Sequence, residues 1–417
     1  MAAASLKGNS LVERMKRFVE RTWWWPVAIL FLGQFMSGAI GGPQSSLFPV
    51  YLERDLGFAA LAISLSSSVR QLLGMAASLI GGALCDSLGR RQTFVLGLSG
   101  IIAGSLIFQI QWPWLVVLIW AYAGFSLGLR TVGGMGYLID VARPEMLGTL
   151  SAIYTWGQTL GGAVGNAVAG PVVDQTSFAH FGRLMFVVSA VVVGFVWLAL
   201  PKPAATTAAV KTQARKGLFG YGDLLKRADV VALGMLRFLP TSYWGVASVF
   251  IPLWIYDQTE SVSMVAWYGT LSQVMASLAQ WVVGRLSDRI GRRRPALVVL
   301  SILLISIIAL ALTGQHLWGI YAFGTLGACA AWCMSALIPG LASDVADAQE
   351  RGRVLGLLHL LWNGGMLVGA LIGGALFEWS AAAPFWVAAG FGIGALVYGF
   401  RLFRLLQQRQ PAATPAS

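Results

Sequence analysis

Three arginines, Arg70, Arg130 and Arg237, stand inside long apolar stretches of this chain, and no Asp or Glu stands at comparable depth. An arginine in hydrocarbon costs at least about 2.5–3.5 kcal/mol on insertion scales, which makes each one a functional candidate. A guanidinium is a planar fork of donors that holds a carboxylate or phosphate through paired hydrogen bonds. Three such charges without a counter-charge attract an anion or zwitterion and repel a cation. The plainer role, pairing with backbone carbonyls or a nearby acid, stays open for each. Gln34, Gln71, Asn166, Gln273, Gln280, His359 and Asn363 are the other polar residues at this depth. They either line a site with the arginines or bond helix to helix. Trp156, Trp244, Trp332 and Trp362 would wall an amphipathic site or simply pack. The candidate binding set is Arg70, Arg130, Arg237, Gln34, Gln71, Gln273, Asn363 and Trp362.

Something must hold these groups in register. The chain of 417 residues is 57% hydrophobic and 11% charged. Soluble domains carry about 25% charged residues. Together with a mean hydropathy of +0.71, this indicates a membrane protein. Apolar runs near the roughly 20 residues a spanning helix needs fall at 25–50, 60–84, 93–111, 115–139, 148–173, 183–200, 231–255, 263–286, 295–313, 318–342, 354–377 and 384–402. The pattern predicts an all-α polytopic fold of twelve spans, six on each side of a linker at 201–229. Residues 1–24 form an N-terminal segment, 25–200 and 230–403 the two halves, and 404–417 a tail. Leu11, Met15, Phe18 and Val19 share one face within residues 10–22, which suits a short helix lying on the membrane surface.

The halves repeat one another. Gly82, Asp86, Gly89, Arg90 and Arg91 recur 202 positions later as Gly284, Asp288, Gly291, Arg292 and Arg293. Both sets sit between two apolar runs, where the Asp ends a helix and the second Gly permits a turn at positive φ. Asp140 is matched by Asp344, and Gly161, Gly165 and Gly170 by Gly365, Gly369 and Gly374, all at an offset of 204. The chain therefore reads as a tandem duplication of even-span units in the same orientation. The Gly-x-x-x-Gly series in the fifth and eleventh spans reads as a sliding seam between the halves. Of 29 Lys and Arg residues, 24 lie on the side of the termini and only Arg54 and Arg183 on the other. That asymmetry puts both termini and the linker in the cytoplasm.

Several classes are excluded. The net charge of +12 does not signal nucleic acid, because no soluble segment is long enough to fold alone. Cys85, Cys329 and Cys333 make neither a disulfide framework nor a metal site. There is no phosphate-binding loop and no nucleophile–base arrangement, so neither an enzyme nor a cofactor is expected. His180, His316 and His359 are isolated; His359 alone lies in a span, where it either carries a proton or packs.

Twelve spans as 6+6, the basic linker and the loop repeated after the second and eighth spans resemble the major facilitator superfamily. Arg130 followed by Gly134 and Gly136 is similar to that family's fourth-span pattern; its repeat counterpart is Met334. The glycine-rich fifth-span signature of antiporters is present only in part, since Val172, Val173 and Asp174 follow Pro171. The resemblance implies two six-helix bundles around a cavity that opens to alternate sides. It further implies a latch in which Asp86 caps the eleventh span and Arg90 or Arg91 pairs with Asp140. Asp288, Arg292 or Arg293, and Asp344 would repeat it, all of these contacts existing only while the cytoplasmic side is closed. The expectation is a monomeric secondary transporter in the bacterial inner membrane, moving a small anionic or amphipathic solute, with or without a co-transported or exchanged ion. The alternatives are a proton-coupled multidrug efflux antiporter and a receptor or scaffold that does not transport.

Overall fold

The computed structural model describes residues 24–142, 146–201, 222–347 and 350–409. The surface helix expected at 10–22 and most of the linker lie outside these residues. Long helices occupy every predicted span. They are α1 (Trp24–Arg54), α2 (Ala60–Ser87), α3 (Arg90–Ile107), α4 (Pro113–Val141), α5 (Leu147–Gln175) and α6 (Phe178–Ala199) in the first half. A single turn at Gly222–Leu225 precedes the second half. That half holds α7 (Ala228–Thr259), α8 (Val262–Ile290), α9 (Arg293–Thr313), α10 (Leu317–Val345), α11 (Arg351–Leu376) and α12 (Ala383–Arg409). One turn of α10, Ile320–Gly324, is a π-helix.

The ends follow local chemistry. Gly89 and Gly291 adopt φ of 95° and 80°, the left-handed region predicted for the second glycine of each loop. The turn at Gly89 lets α3 begin at Arg90, earlier than apolarity alone suggests. Ser177 accepts a hydrogen bond from the His180 amide and starts α6 ahead of its apolar run. Among the described residues, nine spans are long and apolar enough to cross a membrane by composition; α3, α5 and α8 are not among them. In α5 and α8 the difference is glycine, serine, threonine and glutamine, some packed against a helix of the same bundle and some turned toward the other bundle. Leu198, Val191 and Ile305 are exposed, as lipid-facing residues must be.

Helices α1–α6 and α7–α12 form two bundles that meet along α5 with α8 and α2 with α11. The Gly-x-x-x-Gly series has a different role from the one its sequence suggested. A Cβ at Gly161 or Gly165 would collide with the carbonyls of Phe35 and Ala39 on α1. At Gly365 or Gly369 it would meet those of Phe238 and Ser242 on α7. These glycines clamp α5 to α1 and α11 to α7 inside each bundle. The seam is carried by neighbours on other faces: Gly162 against Gln273, Gly170 against Ser263, and Gly374 against Ser64.

The bundles converge at one end. Leu47, Phe48 and Tyr51 of α1 share a continuous core with Val249, Phe250 and Leu253 of α7. At the other end, which carries the arginine-rich loops, the first bundle keeps its own core around Phe94, Leu98, Tyr137 and Leu150. There a Cβ at Gly82 or Gly284 would meet nothing within 4 Å. The bundles are apart at the arginine-rich face and closed at the opposite face.

Candidate functional site

Between the bundles lies a cavity of about 490 Å³, within the range of roughly 300–1,000 Å³ typical of small-molecule sites. Arg70 and Arg130 line it, and among the described residues no Asp or Glu does. Arg70 reaches it from α2. Its Nη2 donates to Ser45 Oγ at 3.3 Å, and its Nε is buried without a partner. The guanidinium lies 4.2 Å over the Trp120 ring, which is stacked on Phe48 at 3.9 Å. This sandwich fixes the plane of the fork, and cation–π attraction partly offsets the missing counter-ion. Among the described residues neither Arg70 nor Arg130 is ion-paired. The sequence reading missed Trp120, although a signal existed. Trp120, Ala123, Leu127 and Arg130 follow helical spacing and all line the cavity.

Arg237 is placed differently. It sits in a small recess with Trp244, Trp332, Ser335 and Trp362. The three tryptophans also line the main cavity, whereas Arg237 does not. Its Nη1 donates to Ser335 Oγ at 2.6 Å, and its guanidinium lies 5.8 Å from the Trp362 ring centre. Gln71 and Gln273 line the cavity. Gln71 donates to Asn363 Oδ1 at 2.6 Å, joining α2 to α11 across the seam. Gln34 is outside the lining and donates to Gln158 Oε1 at 2.7 Å, bonding α1 to α5. His359 stacks on Trp362 at 5.7 Å, behind the wall. Trp156 is 40% exposed and does not line the cavity, because it projects from another face of α5.

The two faces are held by different contacts. At the closed face, Asp174 at the end of α5 accepts hydrogen bonds from Ser261 Oγ, the Val262 amide and the Ser263 amide, at 3.0, 3.0 and 2.8 Å. A carboxylate thus caps the N-terminus of α8 across the seam. At the open face Asp86 and Asp288 are exposed, and so are Gly82 and Arg293. Arg90 nevertheless pairs with Asp140 and donates to the Gly136 carbonyl at 2.9 Å. Arg292 pairs with Asp344, and Arg91 ties α3 to the Trp197 and Leu200 carbonyls at the end of α6. The arginine–aspartate pairs were expected only in the closed state of this face. They are formed while it is open, because each lies within one bundle and moves with it.

The superfamily described as Major Facilitator Superfamily has a sequence profile that matches residues 30–258 and 233–417. The chain belongs to the major facilitator superfamily. It is 26% identical over 335 residues to a protein named multidrug resistance protein MdtH from Cronobacter sakazakii, covering 78% of this chain and 79% of that one. The Yersinia pestis protein of the same name is 24% identical over 331 residues, covering 77% of each. Among solved structures, a bacterial homologue of the human lysosomal transporter Spinster, inward-facing and unoccupied, superposes with a TM-score of 0.74 at 16% identity, covering 94% of this chain and 99% of its own. The nucleoside transporter NupG gives 0.73 at 15% identity, covering 92% and 99%. The chain is a multi-pass membrane protein with this superfamily's twelve-helix fold, and a secondary transporter rather than an enzyme.

Proposed function

We propose that this transporter moves a small anionic or amphipathic solute across the bacterial inner membrane by alternating access. One observation carries the reading: among the described residues the cavity presents Arg70 and Arg130 and no carboxylate. In water-poor surroundings an unpaired guanidinium fork selects a ligand with oxyanion acceptors. Both termini face the cytoplasm in this reading, which the 24-to-2 division of basic residues supports. The open face is then the cytoplasmic one. The transporter works as a monomer, and the gradient that drives movement identifies any co-transported or exchanged ion.

The similarity to proteins named for multidrug resistance favours a second reading, proton-coupled efflux of drugs. Its weak point is the cavity, where no acid among the described residues stands to carry the proton and hold a cation. Thermal-shift screening of the purified protein against organic anions and cationic drugs separates the two, since a ligand of the folded state raises its melting temperature. Stabilisation by anions, followed by their movement into proteoliposomes, supports the proposal. Stabilisation by cationic drugs alone, with movement driven by a pH gradient, replaces it with the efflux reading. Binding without movement under any gradient favours a receptor.

A further inference from the structure

The cavity is chemically polarised. Its first-bundle wall carries the two charged residues that line it, Arg70 and Arg130. Trp120 is 3% exposed and Ser37 is 1% exposed, yet Trp120 Nε1, Ser37 Oγ and Arg70 Nε have no hydrogen-bond partner. All three residues line the cavity. All three atoms are buried, and leaving them unpaired is costly, so this wall holds unspent hydrogen-bonding capacity that acceptors reach only when it rearranges. The Ser45 bond and the Trp120–Phe48 stack hold the Arg70 fork in one plane, which suits a planar carboxylate or a compact oxyanion.

The second-bundle wall carries no charged residue among the described residues and sets Ser248, Ser272, Gln273 and Gln280 beside a cluster of three indoles. Trp244 and Trp332 meet edge to face at 5.8 Å, and Trp362 stacks on His359 with ring centres 5.7 Å apart. All three indoles line the cavity. Trp332 is 38% exposed, so its surface is available to a ligand. Rigid rings prefer another ring, stacked or edge-on, over a flexible chain of equal area.

We infer that the substrate is a planar aromatic organic anion. Its oxyanion sits on Arg70 at the α2–α4 wall, and its ring rests against Trp244, Trp332 and Trp362. The inference builds on the anion reading above and adds the ring and the orientation. A substrate held this way touches both bundles at once, which couples its binding to their relative movement.

Three matched probes test it on the purified full-length protein in nanodiscs by calorimetry: 2-naphthoate, its saturated analogue decahydro-2-naphthoate, and 2-naphthylmethyl-trimethylammonium. The expected order is 2-naphthoate about tenfold tighter than the saturated acid, and no binding of the ammonium. Trp332→Leu should bring the two acids to near parity while the saturated acid still binds, which also reports that the variant is folded. Arg70→Gln should weaken binding of both acids about tenfold to hundredfold. Equal affinity of the two acids in the unsubstituted protein overturns the inference and leaves the anion reading standing. Binding of the ammonium alone overturns both. Failure of 2-naphthoate to bind at millimolar concentration also overturns the inference.

Discussion

The guanidinium of Arg70 is worth most to a ligand because so little else engages it. One serine bond and a tryptophan face are its partners. Replacing Arg70 by Gln removes a charge-assisted pair of hydrogen bonds worth about 1.5–3 kcal/mol, a tenfold to hundredfold loss of anion affinity. Arg70→Lys should recover only part, because a point charge lacks the fork. Arg237→Gln should weaken binding less than Arg70→Gln, since Arg237 lies behind the tryptophans and acts on the cavity through Trp362. Titration of each variant with one anion ranks them, and an Arg237 loss equal to that of Arg70 would place Arg237 in direct contact. The sequence made part of this legible. Charge depth and the missing acids come from the order of residues alone, so Arg70 and Arg130 could be read. The rotation of a helix about its axis could not. It decides that Trp120 faces the cavity, that Trp156 does not, and that Gln34 spends its amide on Gln158.

Helix number, ends and repeat were legible because apolar length, Gly89 and Gly291 act locally. Which face of a glycine-rich helix meets which neighbour was not, since that needs the partner's backbone. Gly165 and Gly369 approach carbonyls of α1 and α7 within their bundles. Gly165→Ala or Gly369→Ala should therefore cost about 1–3 kcal/mol by overpacking. Thermal unfolding should show a lowered midpoint for both, whereas Gly284→Ala, whose Cβ meets nothing within 4 Å, should unfold like the parent. A transporter whose Gly165→Ala variant keeps full stability would contradict the clamp. The arginine–aspartate pairs belong to the same scale. Arg90 with Asp140 and Arg292 with Asp344 join helices of one bundle, so they stiffen each end without sensing which face is open.

At the scale of the whole molecule, the two faces are set against each other by two carboxylates. Asp174 holds the closed face by capping α8, and Asp86 stands exposed at the open face, on the helix that borders α11. In the proposed alternating-access movement, the first contact would break and Asp86 would come within reach of the start of α11. A carboxylate at a helix N-terminus contributes about 0.3–1 kcal/mol through the macrodipole, and an N-cap hydrogen bond about 0.5–2 kcal/mol. An equilibrium between states a few kcal/mol apart moves severalfold under such a change. Asp174→Asn should loosen the closed face and shift the population toward the outward-facing state. Asp86→Asn should act in the opposite direction, favouring the inward-facing state, with little effect on ligand affinity in a locked conformer. The double variant should return toward the parent distribution, because each substitution weakens one of two opposed latches. Cysteine labelling at a single site on the Asp174 face, read in all four proteins, measures the population. Labelling should rise in Asp174→Asn, fall in Asp86→Asn and lie between them in the double variant. A double variant that labels like Asp174→Asn alone would mean that Asp86 closes nothing, and that the cytoplasmic gate is made elsewhere.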